Sequence, residues 1–236
     1  MSSVPATGAA RARVATRSRR GTPTPARQGR QLLLWIHILS SVSWMSQALA
    51  LLVLLSRGGT EGAVAAHVLD TTVLVISANV SAMSGFLLSS TTPWGFFLHR
   101  WVLVKFLITV AQLVVGIAVL SPRLNEVADQ AAADGQVTVP TGLLISTVIM
   151  ASLIAFQGWV SVAKPWPRVP GRSRTKAPVP RPGIVAAAPV ALVGDVLVFA
   201  ILGQPIPVCS LTALIAALVG RRDGRREAER AGTSVS

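Results

Sequence analysis

Long apolar runs, each closed by glycine, proline or charge, alternate with short polar breaks along most of the chain. The first run covers about residues 32–55 and ends at Arg57, Gly58 and Gly59. As a helix it measures roughly 36 Å, enough to cross a hydrocarbon core of about 30 Å. The second covers about residues 64–90 and stops at Thr91-Thr92-Pro93-Trp94-Gly95, because Pro and Gly together interrupt a helix. The third, residues 101–120, is expected to end at Ser121-Pro122. The fourth, about residues 141–163, ends at Lys164-Pro165-Trp166-Pro167. A further run at 184–202 is broken only by Asp195, and a last one at 208–220 is only about 20 Å long as a helix. The pattern predicts an all-α fold, a polytopic transmembrane helical bundle with four core spans (31–167) and a C-terminal hydrophobic hairpin (183–220). The last pair fits either two spans, the favoured reading, or a re-entrant segment.

Composition agrees. Charged residues make up only 13% of the chain, against about 25% in soluble domains. The net charge of +13 would suit a nucleic-acid binder, but its placement argues otherwise. Seven arginines precede the first run, six basic residues follow the fourth, and five more follow residue 220. Basic clusters that flank apolar runs are the signature of cytoplasmic segments, and they attract anionic lipid headgroups. Residues 1–30 therefore read as a disordered basic cytoplasmic tail, 168–182 as a Pro-rich basic cytoplasmic linker, and 221–236 as a second basic cytoplasmic tail. Residues 123–140 hold Glu126, Asp129 and Asp134 against one arginine and are placed outside. The expected location is the cell (plasma) membrane, multi-pass, with both termini cytoplasmic and the lipid bilayer as partner. Tryptophans 35, 94, 101, 159 and 166 fall near the basic ends of the runs, as interfacial residues do. Arg19-Arg20 is followed by Gly, Thr and Pro instead of an apolar stretch. The first run is also too long for a secretory signal and reads as a retained span. With one cysteine, Cys209, no internal disulfide forms.

Within the runs, polar residues mark the candidates. Ser77, Ser81, Gly85 and Ser89 recur every four residues and build a small-residue stripe for helix packing, inside the bundle or across a homodimer. The first run carries His37, Ser40, Ser41, Trp44 and Gln47 on one broad face. His37 and Lys105 lie at matched depth on parallel spans, and ionisable residues inside a membrane usually face the bundle interior. Snorkelling of Lys105 and a local hydrogen bond for His37 are the plainer alternatives. Asp195, mid-run, is either a functional intramembrane acid or a hydrogen-bonded structural one. Met45, Met83 and Met150, with His67 and Asp70 three residues apart, are the residues a copper reading would use. No nucleotide-binding, hydrolase or zinc-protease motif is present.

The string "IHILSSVSWMS", with His37 and Trp44, resembles the first helix of the HemJ/CopD-like four-helix membrane superfamily. This superfamily includes HemJ-type protoporphyrinogen oxidases and copper-resistance CopD domains. Gly85 is similar to its second-helix glycine, and Trp101-x3-Lys105 to the opening of its third helix. "TTPWGFFLHRWVLVKFLITV" also resembles an uncharacterised actinobacterial integral membrane protein family. The resemblance covers about residues 32–167. It implies haem held near His37 and Lys105, and so a haem-dependent membrane oxidoreductase. The chain departs from the pattern at Ser46 and in having no histidine in the fourth run. The sequence is compatible with three functions: a binding or accessory bundle, a haem redox protein using His37 and Lys105, and a small transporter or copper-handling protein.

Overall fold

The structure, a computed structural model, describes residues 24–93, 95–135, 137–166, 179–203 and 205–233. Six helices and no strand occur among them: α1 (Pro25–Arg57), α2 (Gly59–Thr91), α3 (Arg100–Ala133), α4 (Thr141–Ala163), α5 (Pro182–Leu202) and α6 (Val208–Thr233). The first five are long and apolar enough to cross a membrane; α6 is not.

The helix ends follow local chemistry. Pro25 and Pro182 sit in the first turns of α1 and α5, where the missing N–H costs nothing. Gly58 (φ 66°) closes α1 and Gly203 (φ 67°) closes α5, both in backbone conformations that a Cβ would disfavour. Three boundaries differ from the sequence reading. Residues 24–30 belong largely to α1 instead of a tail, because Pro25 starts the helix ahead of the apolar run. Residues 221–233, expected as a tail, continue α6 without a break. Most of the 1–30 tail and of the 168–182 linker lies outside the described residues.

The largest correction concerns Ser121-Pro122, which does not end the third run. Residues Gly116–Leu120 form a wider π turn, and the helix resumes at Ser121. The turn re-routes the backbone bonding just ahead of the proline, which has no N–H to give. Residues 123–134, expected as an external loop, are therefore helical. They bury Leu124, Val127 and Ala131 against Leu51 and Leu55 of α1, Ala63 and Ala66 of α2, and Leu143 of α4. A matching π turn, Asp70–Leu74, interrupts α2.

Successive helices alternate in direction around α1, which packs on α2, α4 and α5. One end of the bundle gathers Arg27, Arg30, Arg100, Lys164, Arg181, Arg222 and Arg226; the other carries Glu61, Asp70, Glu126 and Asp129 with Arg57 and Arg123. Near the basic end, α1 and α5 approach so closely that a Cβ at Gly29 would lie 2.7 Å from the Val185 carbonyl oxygen. Pro189 explains why that oxygen is available: lacking an N–H, it cannot bond the carbonyl four residues before it. At the same end, the Arg221 guanidinium donates to the carbonyls of Ser89 (2.8 Å) and Thr92 (2.7 Å), capping the C-terminus of α2.

Candidate functional site

The small-residue stripe of α2 packs inside the chain. Ser81 meets Ser41 at 2.7 Å between hydroxyl oxygens, and Ser77 meets Ser43 at 3.0 Å. The Gln47 amide donates to Ser43 and Ser77. Gly85 lies under the His37 ring, whose Cε1 is 3.1 Å from where a Cβ would stand. Ser89 gives its backbone carbonyl to Arg221. The polar face of α1 and the small face of α2 are thus complementary.

His37 bonds locally. Its Nδ1 is 3.0 Å from both the Ser81 carbonyl oxygen and Ser84 Oγ. A carbonyl can only accept, and the Ser84 hydroxyl already donates to that same carbonyl, so Nδ1 carries the proton. Lys105 points to α4, donating to Ser161 Oγ at 2.6 Å. It faces the bundle instead of snorkelling. Each of the two side chains is bonded to a different helix, His37 to α2 and Lys105 to α4.

Lys105 opens a polar ladder between α3 and α4 that the sequence reading missed. Ser161 donates to the Gln157 carbonyl at 2.8 Å, and Thr109 donates to Gln157 Oε1 at 2.8 Å. Gln157 Nε2 donates to Gln112 Oε1 at 2.6 Å, and Gln112 Nε2 to the Met150 carbonyl at 3.0 Å. Two glutamines buried in otherwise apolar runs, 45 residues apart, were the available signal.

The ladder leads from the basic end to a cavity of about 310 Å³ in the other half of the bundle. Its walls come from α1 (Trp44, Ala48, Leu51), α2 (Asp70, Leu74, Ala78, Asn79), α3 (Gln112, Gly116, Ser121), α4 (Thr147, Met150) and the end of α5 (Phe199, Gly203). Both π turns face it. Such turns recur at functional sites because they re-aim side chains out of helical register. The Ser121 hydroxyl donates to Asp70 Oδ2 at 2.7 Å and ties the two turns together. A second space of about 20 Å³, room for about one water, lies beside Asp195 and shares Asn79 with the first.

Asp195 takes the structural role. Its carboxylate accepts from the backbone N–H of Cys209 (2.7 Å) and of Ser210 (3.1 Å), and from the Ser210 hydroxyl. It caps the N-terminus of α6 from the neighbouring helix, where the helix dipole favours a negative charge.

The methionines of the copper reading are dispersed. Met83 lies in the cluster with Leu33 and Leu192, Met45 packs on the cluster around Trp44, and Met150 lines the cavity. No group of three His, Cys, Asp or Glu side chains gathers among the described residues.

The haem reading meets a partial fit. The His37 tautomer leaves Nε2 as the bare nitrogen, as ligation requires. The ring, however, is seated on Gly85, Lys105 is engaged by Ser161, and neither residue lines either of the two spaces described above. These side chains do not present a haem site. Comparison of the chain with family models, with curated proteins and with solved structures gives no match in any of the three.

Proposed function

We propose that the protein is an integral membrane helical bundle that binds a small ligand in its intrabundle cavity. The observation that carries the reading is the cavity itself. At about 310 Å³ it is at the lower end of the range for small-molecule sites, with mainly apolar walls and a few convergent polar groups. The membrane setting is supported by the exposed faces of the helices. Leu107, Val114, Ile117, Ile145, Val190, Leu197 and Ile201 are all more than half exposed, which in water would be an aggregation surface. At 33 residues, α1 is about 50 Å long and overreaches a core of about 30 Å, so its ends stand in the headgroup layers. The basic end then lies on the cytoplasmic side against anionic headgroups, and the acidic end outside. The stripe of Ser77, Ser81 and Gly85 is occupied by α1, so this reading needs no homodimer through it.

Two substitutions narrow the cavity, one from α4 and one from α3. Thr147 is buried and its hydroxyl bonds only its own helix at Leu143; a Cβ at Gly116 meets nothing within 4 Å. The wild-type protein, extracted in a non-ionic detergent, is expected to retain a bound small molecule or lipid in native mass spectrometry. Thr147→Leu and Gly116→Leu are expected to lose it. Identical adducts in all three proteins would overturn the reading.

A further inference from the structure

The polar groups of the cavity are unequally spent. The Thr147 hydroxyl proton goes to the Leu143 carbonyl, that of Thr71 to the His67 carbonyl, and that of Ser121 to Asp70. Gln112 gives an amide hydrogen to Met150, and Asn79 gives one to the Val75 carbonyl. What the walls keep is acceptor capacity headed by Asp70 Oδ1, which accepts no hydrogen bond among the described residues, against the Trp44 indole N–H and the second Asn79 amide hydrogen as donors. Among the described residues no Lys, Arg or His lines the cavity; the basic side chain beside Asp70 is His67, three residues before it on α2 and outside the lining. The indole of Trp44 and the ring of Phe199 supply aromatic wall, and Leu74, Leu113 and Leu143 apolar wall.

A carboxylate in an apolar, acceptor-rich cavity calls for a partner that brings positive charge and N–H or polarised C–H donors on an apolar body. Aromatic faces in the same wall favour the same partner through the ring quadrupole. From this geometry we infer that the cavity takes a lipophilic ammonium, a small organic cation with an apolar body, and that Asp70 is its counter-ion. The inference rests on the cavity being a ligand site and names the ligand's class. Ser121 acts as a positioning residue, holding Oδ2 so that Oδ1 is presented. The same ammonium chemistry is carried by free amines and by the headgroups of zwitterionic lipids.

The test uses the full chain in a non-ionic detergent and three probes of similar shape: benzyltrimethylammonium, its neutral carbon isostere neopentylbenzene, and phenylacetate. Binding is read by thermal stabilisation. The cation is expected to stabilise the wild-type protein and phenylacetate not to. Asp70→Asn, which keeps the shape and an acceptor for Ser121, should weaken cation binding about 10- to 100-fold, the usual scale for losing a hydrogen bond or contact to a charged group. It should leave the neutral isostere unchanged. Thr147→Leu should weaken both probes. Equal binding of cation and isostere, with no effect of Asp70→Asn, overturns the ammonium inference and leaves the cavity as a ligand site. No effect of Thr147→Leu on any probe overturns the cavity reading itself. In a last arm phosphatidylcholine is added: displacement of the cation assigns the site to lipid headgroups, and its persistence to free amines, both within the inference.

Discussion

Replacing Gly29 by alanine sets two effects of opposite sign against each other. In an ordinary helix interior the change is favourable by about 0.8–1 kcal/mol, because alanine loses less backbone freedom than glycine. At Gly29 the new Cβ would lie 2.7 Å from the Val185 carbonyl oxygen and 2.8 Å from Ala186 Cα. Even a close C–H···O contact needs roughly 3.3 Å between carbon and oxygen, so α1 and α5 must separate by about half an ångström. Both obstacles are backbone, so no side chain can swing aside. Overpacking of this kind costs about 1–3 kcal/mol. Gly158 is the control: it is helical, exposed, and a Cβ there meets nothing within 4 Å. Gly158→Ala is expected to raise the melting temperature in detergent and Gly29→Ala to lower it or leave it flat. A gap of about 1–3 kcal/mol corresponds to roughly 2–12 °C at this chain size. An equal rise in both variants would refute the contact between α1 and α5.

Gly85→Leu should drive His37 from its bonds to Ser81 and Ser84 and cost about 2–5 kcal/mol, whereas Val73→Ala, on an exposed part of α2, should cost under about 1; equal melting temperatures would sink the α1–α2 register. Leu87, also on α2, is fully buried and cannot serve as such a control. Asp195→Ala removes the cap of α6 and should destabilise by about 1–2 kcal/mol, while Asp195→Asn, which still accepts, should retain part of it; thermal unfolding that ranks Asn no better than Ala would argue against capping. Reporter fusions placed between Glu126 and Gly135 should read external and those after Arg222 internal; an internal signal from the first would remove the proposed orientation.

The long apolar helices were legible in the sequence because apolar length and the glycine and proline breaks act locally. The packing stripe was legible for the same reason, since a period of four small residues is a property of one helix. Asp195 could be flagged as costly, but its partners sit 14 and 15 residues away, and only the turn between α5 and α6 brings them to it. Pro122 misled the reading because a π turn, which has no composition of its own, absorbs it. The cavity was out of reach. It is the space left by five helices, and its key polar residues, Asp70, Asn79, Gln112 and Thr147, lie on three different helices, so no single run points to them together. His37 and Lys105 stood out as ionisable groups in apolar surroundings, but such groups are as readily spent on hydrogen bonds to a neighbouring helix as on a ligand.

The arginine that closes α2 has a consequence for the order of assembly. Arg221 lies 132 residues beyond Ser89 and 129 beyond Thr92. At synthesis rates of about 5–20 residues per second, it leaves the ribosome roughly 7–26 s after the carbonyls it will satisfy. During that interval the carbonyls at the end of α2 must be satisfied by water or other donors. The latch closes only when α6 has folded back along α5, so the second helix of the bundle waits for the sixth to be completed.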